Sequence, residues 1–334
     1  MEFFCLRDIA EIFAQPSLLL APMEDVTELP FRLICKELGA DVVYTEFVNA
    51  EGLLRESTDG PRRTFNKLRF CEQERPFGIQ LYGGTSFSME KATEIATAQK
   101  PDLIDINCGC WVSNVALRGA GAGLLRDLSK MREVVRRVVS GTHLPVTVKT
   151  RLGWDANSIE IIDVARMLED LGVQALSLHC RTRSQGHKGS VDYSWIPKIK
   201  EVVSMPVILN GDIKSPQDVE KAFSTTGCEG VMIGRQAIAH PWIFREARYY
   251  MDTGRLLEEP AFRERVRLCL KHLSLCVDHH GEKYALIGMR RHYAGYFRGL
   301  RGASKIRLEL NRFKELSPLK DYLRSLPEDG RRAA

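Results

Sequence analysis

Short apolar runs, rich in β-branched residues, recur along the chain: "SLLLAPM" from 17, "DVVYTEF" from 41, "FGIQLYG" from 77, "LIDINCG" from 103, "PVTVKTR" from 145, "ALSLHC" from 175, "VILNGD" from 207 and "GVMIGR" from 230. Runs of this length, bounded by turn residues, predict strands. Between most of them the apolar residues fall three and four apart, as in "SKMREVVRRVVSG" and in "SIEIIDVARMLEDLG", where Gly172 reads as a C-terminal helix cap. Strand and helix alternate, which means a parallel sheet. Eight such units in about 230 residues fit a closed (β/α)8 barrel better than an open doubly wound sheet. From about residue 261 only helical patterns remain, in "FRERVRLCLKHLSLCVDHH", "YALIGMRRHYAGYFRGL" and "KIRLELNRFKELSPLKDYLRSL". The chain therefore divides into a barrel, residues 1–245, and a small all-helical C-terminal domain, residues 246–334, with Gly254 and Pro260 punctuating the linker region "YYMDTGRLLEEP".

In a barrel of this kind the chemistry sits where strands end, at the C-terminal face. The polar residues collect there: Met23 to Asp25, Gln80, Asn107, Lys149, Arg151, His179, Arg181, Asn210 to Asp212, Gly234 and Arg235. Side chains alternate along a strand, so Thr147, Lys149 and Arg151 face the barrel mouth while Val146 and Val148 face the helices. By the same parity Ser177, His179 and Arg181 point inward, and Gln80 lies opposite Ile79 and Leu81. Cys108 and Cys180 fall on the helix-packing side. Cys110 lies beyond the end of its strand, on a loop.

Charge adds a second feature. The 334 residues carry a formal net charge of +5, but residues 1–244 hold 28 Lys and Arg against 31 Asp and Glu, whereas 245–334 hold 20 against 12. A basic C-terminal segment is the footprint of a module that binds a polyanion, and the alternative is a solvated helical surface. Nine cysteines form no repeated CxxC pair, which predicts a reducing cytoplasm and neither structural zinc nor an iron–sulfur cluster. No window approaches the roughly 18 apolar residues of a membrane span.

A mouth lined by lysine and arginine needs an anionic occupant, because a desolvated cation without a partner is costly. The loops after strands seven and eight form the habitual phosphate site of this fold, and here they carry "NGD", Asn210 to Asp212, and "IGR", which ends in Gly234 and Arg235. Lys149 suits a Schiff-base nucleophile, an ion-pair partner, or a cation beside the N1/O2 edge of a flavin. His179 suits a structural hydrogen bond or a ligand contact. Cys110 suits a general acid, since a free thiol is mostly protonated near pH 7, or a thiolate nucleophile, or an inert loop cysteine. The "GAGAG" of 119–123 is no GxGxxG fingerprint and reads as the flexible return of the Cys110 loop. His279 and His280 read as solvated residues between helices.

The stretches "LAPMEDVTELPFRLICKELGADVVYTEF", "QLYGG", "INCGC" with "RGAGAGLL", "VKTRLGW", "LHCRTR" with "KGSVDYSWI", "LNGDI" and "MIGRQAIAHPWIF" run in order through residues 19–244. Together they resemble the tRNA-dihydrouridine synthases, and the "RRHYAGYF" region resembles that family's helical tRNA-binding domain, especially in the bacterial B-type branch. The resemblance implies an FMN enzyme that reduces the C5–C6 double bond of particular uridines in tRNA, with NADPH as electron donor. It implies that Pro22, Met23, Glu24, Gln80, Lys149, His179, Asn210, Gly211, Asp212, Gly234 and Arg235 hold FMN. Asn107 and Arg151 would hold the uracil, with Arg181 a further substrate contact, and Cys110 would protonate C5. Arg290, Arg291 and Arg298 would meet tRNA phosphates, while His292, Tyr293, Tyr296 and Phe297 divide between base stacking and the domain core. One departure stands out: Trp111 occupies the position after the cysteine where the family has proline. Two other readings remain: a flavin barrel acting on a free pyrimidine, of the dihydroorotate dehydrogenase kind, and a flavin-containing tRNA-binding protein without catalysis.

Overall fold

The computed structural model describes residues 9–58 and 63–327; Cys5 lies outside them. Nine strands form one parallel sheet: β1 (Ser17–Leu20), β2 (Val43–Tyr44), β3 (Val48–Asn49), β4 (Phe77–Tyr82), β5 (Leu103–Asn107), β6 (Val146–Arg151), β7 (Ala175–His179), β8 (Val207–Asn210) and β9 (Gly230–Ile233). Neighbours follow the order β1-β9-β8-β7-β6-β5-β4-β2. A parallel bridge between Leu19 and Val42, with the Leu20 N–H donating to Val42 O at 3.0 Å, closes the barrel. The additional strand, β3, pairs with the end of β4 where the second apolar run resumes after a bend at 45–47.

Inside the barrel the character changes with height. At the N-terminal end Leu19, Tyr44, Leu103, Ala175 and Ile208 form an apolar plug, joined from below by Ile9 and Phe13. Two glycines make room for it. A Cβ on Gly78 would sit 2.6 Å from both Leu103 and Tyr44, and one on Gly230 would sit 2.9 Å from Leu19. Above the plug the inward residues become polar. The alternate residues face outward and build the main core with the surrounding helices, Cys108 and Cys180 among them as parity predicts.

The helices carry the expected punctuation. Thr85 and Asp127 cap Ser86–Thr97 and Leu128–Ser140 through their side chains, and Ser215 and Asp218 form a reciprocal capping box at Pro216–Thr226, which ends on left-handed Gly227. The helix expected from Ser158 starts only at Ile161, because Ile159 pairs instead with Gly153 in an antiparallel bridge. Its C-cap is Leu171, with Gly172 one residue beyond at φ +90°.

A helix runs unbroken from Ile243 to Thr253, with Phe244 and Ala247 in the barrel core. The expected division at 245/246 therefore falls inside a barrel helix, and the change in structure comes after left-handed Gly254. Beyond it lie helices Phe262–His280, Glu282–Gly288, Tyr293–Phe297, Ala303–Leu310 and Leu316–Ser325. They share one core, which also takes in Ile34, Leu38 and Trp242 of the barrel. Docking is close: a Cβ on Gly295 would lie 2.0 Å from Ile238 O, so only glycine lets helix Tyr293–Phe297 touch the barrel there.

Candidate active site

The C-terminal ends of the strands surround a cavity of about 830 Å³. Strand register places its polar residues in neighbouring positions: Gln80 beside Asp105, Asp105 beside Thr147, Asn107 beside Lys149, Arg151 beside His179, and His179 beside Asn210. The strand-end residues expected from the sequence line this cavity, from Pro22, Met23 and Glu24 round to Gly234 and Arg235, together with Cys110 and Arg298; Asp25 alone of them does not, its side chain being turned out to solvent.

A chain of hydrogen bonds rises from the floor to the cysteine. Buried Asp105 accepts from Thr147 Oγ1 at 2.5 Å and from Gln80 Nε2 at 2.6 Å. The other end of the Gln80 amide accepts from Asn107 Nδ2 at 2.9 Å, and Asn107 Oδ1 accepts the N–H groups of Gly109 (3.0 Å) and Cys110 (2.9 Å). Burial pushes the Asp105 carboxyl up to about 6, against the hydrogen bonds from Thr147 and Gln80 and the pull of Lys149. Asp105 is the residue the sequence reading missed. The signal was available, since it shares inward parity with Asn107 two positions on.

Cys110 lies past the strand, partly buried, and burial raises its pKa against the pull of Arg151 and Lys149. The thiol is therefore protonated near neutral pH. Cys108, the rival thiol, is sealed in the outer core, and its pKa is raised further by the same cause. The "GAGAG" segment is no flexible return: Ala120 to Leu125 are buried, mostly in a tight 3₁₀ turn, and the Ala122 N–H donates to Cys110 O at 3.1 Å. Trp111 leans across the mouth and donates its indole N–H to His187 Nε2 at 3.2 Å.

Cations dominate the remaining wall. Lys149 Nζ donates to Asn210 Oδ1 at 3.1 Å, and burial, helped by Arg151, lowers its pKa to about 8. Arg151 donates through Nε to Gly109 O and through Nη1 to Thr182 O and Gly186 O, so it ties the Cys110 loop to the loop after β7. Burial holds it down at about 10. Buried Arg181 spends its guanidinium on Asp212, at 3.0 and 2.6 Å, and on the carbonyls of Lys188 and Gly189. Arg235 shares Asp212 Oδ1 with Arg181, at 2.7 Å, and those bonds, Arg181 first, hold that carboxyl below its ordinary range. His179 is held neutral by burial and by Arg151, Lys149 and Arg181, and its Nε2 has no hydrogen-bond partner.

Outside the cavity, exposed Arg290 and Arg291 lie on the helical side, and Arg291 reaches the barrel to donate to Asp25 O. Arg298 lines both the main cavity and a smaller one beside Ala294, Ser304 and Arg307. The expected division of the aromatics is corrected: His292, Tyr293, Tyr296 and Phe297 are all buried, so none of them offers a stacking face. Tyr296 Oη meets His272 Nδ1 at 2.9 Å instead. His279 and His280 end helix Phe262–His280, and His280 binds the Glu28 carboxylate at 2.7 Å. Among the described residues one group has metal-ligand spacing, Glu24, Asp25 and Glu46, and Lys67 already pairs with Glu24 and Glu46 at 2.5 and 3.7 Å. No described helix is long and apolar enough to cross a membrane.

This chain is similar over nearly its whole length to known proteins. The profile of the "Dihydrouridine synthase (Dus)" family matches residues 19–328. The tRNA-dihydrouridine synthase B of Pseudomonas putida is 36% identical over 307 residues, covering 92% of this chain and 90% of that protein. The protein of the same name from Xanthomonas campestris is 33% identical over 315 residues, 93% of this chain and 94% of its own. Among solved structures, a morphinone reductase superposes with a TM-score of 0.52 at 12% identity, covering 73% of this chain and 88% of that one, a likeness of fold alone. The profile match, the identity with these relatives and the barrel with its polar mouth agree, and the chain belongs to the dihydrouridine synthase family.

Proposed function

We propose that the protein reduces the C5–C6 double bond of specific uridines in tRNA to dihydrouridine, with FMN bound in the barrel mouth, NADPH as reductant and Cys110 as general acid. The observation that carries this reading is the thiol: Cys110 stands at the edge of a cation-rich cavity, kept protonated by burial and held through its backbone by Asn107.

The cavity fits a flavin phosphate. His179 Nε2 is unpartnered and Lys149 is a half-buried cation whose hydrogen bond goes to a neutral amide. Asn210, Gly211, Asp212, Gly234 and Arg235 lie where this fold habitually holds phosphate. Gln80, Lys149 and His179 would line the ring, with Lys149 beside the edge where negative charge collects; Pro22, Met23 and Glu24 border the same cavity. The flavin, when bound, supplies hydride to C6 of the uracil. Cys110 then delivers the proton to C5, a task that its thiol, held in the protonated form by burial, can perform. Arg151 has its Nη2 free for the uracil oxygens, and Asn107 has its second amide hydrogen. The same bonds hold Gly109 and Cys110, so positioning and proton delivery share one framework.

The unit boundary belongs in the segment 254–261, and the helical unit would carry tRNA through Arg290, Arg291 and Arg298. Their contribution is to phosphate contacts, which lose strength steeply with salt. The test uses the purified protein, an unmodified tRNA transcript and NADPH. Cys110→Ala should leave reduction of the yellow flavin by NADPH intact and slow uridine reduction by about 10²- to 10⁴-fold. A colourless protein, or one that reduces free pyrimidines but not tRNA, would refute the assignment.

A further inference from the structure

We infer that Trp111 and His187 form a latch across the cavity mouth that positions Cys110, the hydrogen bond from indole to imidazole doing in this chain what a rigid residue after the cysteine would otherwise do. Its bearing on the reaction rests on Cys110 as proton donor; the latch itself stands on geometry.

Residues 108–112 have no regular secondary structure, so side-chain anchors set the loop's resting place. On the inner side Asn107 and Arg151 anchor Gly109 and Cys110. On the outer side the anchor is Trp111. Its N–H donates to His187 Nε2, 76 residues away in sequence, and the two rings meet edge to face, 5.3 Å apart at 79°. The indole also lies over Gly186, where a Cβ would come within 3.2 Å of it. The seat is firm: Gln185 Oε1 accepts the Thr182 N–H at 2.7 Å, and Gly186 O is held by Arg151. Cys110 is one peptide bond from Trp111, so releasing the indole loosens the outer side of the thiol's loop, while Asn107 and the Ala122 N–H still hold the Cys110 backbone.

The latch demands a neutral His187, with its proton on Nδ1, because Nε2 must accept. The groups facing it are the guanidiniums of Arg235, Arg151 and Arg181, the ring of His179 at 6.2 Å, and the carboxylate of Asp212. Partial burial and then the three arginines lower the His187 pKa, against the pull of Asp212. The latch is closed at neutral pH and opens in acid.

The test is the alkylation rate of Cys110 by iodoacetamide, read by mass spectrometry of its own peptide so that the other thiols do not interfere. Trp111 is 39% exposed, so its replacement leaves the core intact. Trp111→Phe keeps a ring and loses the N–H; His187→Ala loses the acceptor; His187→Gln restores one. The expected result is that Trp111→Phe and His187→Ala each raise the rate about two- to tenfold, as loss of one neutral hydrogen bond allows. The double variant should react no faster than either single variant, and His187→Gln should return toward the wild-type rate. The ratio of Trp111→Phe to wild type at each pH cancels the thiolate fraction and should fall to one as acid protonates His187. Additive rates, unchanged rates or a pH-independent ratio would each overturn the latch. Single-turnover uridine reduction then separates the two claims. Coupled alkylation beside a Cys110→Ala enzyme that reduces uridine unimpaired upholds the latch and removes Cys110 as donor. Uncoupled alkylation beside a failing Cys110→Ala enzyme does the reverse.

Discussion

Replacing Asp105 with asparagine neutralises a carboxylate sealed inside the barrel, and the structure says how much that should change. Asparagine fits the network, because its Oδ1 accepts from Gln80 Nε2 while its amide donates to Thr147 Oγ1, a hydroxyl able to reverse its role. The chain to Asn107 and Cys110 then stays closed. In the native protein burial holds the carboxyl at about 6, whereas in the unfolded chain it titrates at about 3.9. An acid with a raised folded pKa binds more protons folded than unfolded, so it costs nothing below about pH 4, a growing amount between there and pH 6, and a constant amount above. The constant is about 3 kcal/mol. Asp105→Asn should therefore stabilise the protein by up to about 3 kcal/mol at pH 8 and leave it unchanged at pH 4. Urea unfolding of both proteins at half-unit pH steps, compared as a difference, removes the contribution of every other titrating group. A flat difference between pH 4 and 7 would refute the reasoning, and so would a difference that runs the other way. The first result would mean water reaches Asp105; the second, that Lys149 depends on it as a counterion.

Two further perturbations test the framework around the site. Arg32 and Glu74 form an ion pair at 2.5 Å with side chains 2% and 0% exposed, and Arg32 also holds Thr27 O and Arg69 O. Glu74→Ala leaves a buried guanidinium unpaired and should lower stability by about 3–5 kcal/mol in denaturant unfolding. A loss below about 1 kcal/mol would show that the pair is solvated. Gly295→Ala places a methyl 2.0 Å from Ile238 O, which the backbone must move to accept. It should cost about 3 kcal/mol and expose the 254–261 segment to protease, with native-like resistance contradicting the close docking.

Much of the architecture was legible in the chain because strand parity and helix periodicity are local. They placed Gln80, Asn107, Lys149, Arg151 and His179 around one mouth and put Cys108 and Cys180 behind it, and the same rule carried through would have found Asp105. What the chain could not show is which polar groups are already spent on one another. Arg181, expected on the substrate, is committed to Asp212 in a bond between loops 31 residues apart. His292, Tyr293, Tyr296 and Phe297 look like a stacking surface in sequence, yet all are buried, because their helix lies against the barrel at Gly295 and turns them toward Phe31, His272 and Trp242. The place of Trp111 was decided the same way, by a partner 76 residues distant. Periodicity determines which way a side chain points from its own element; what it meets there depends on how distant elements pack, and that belongs to the tertiary structure alone.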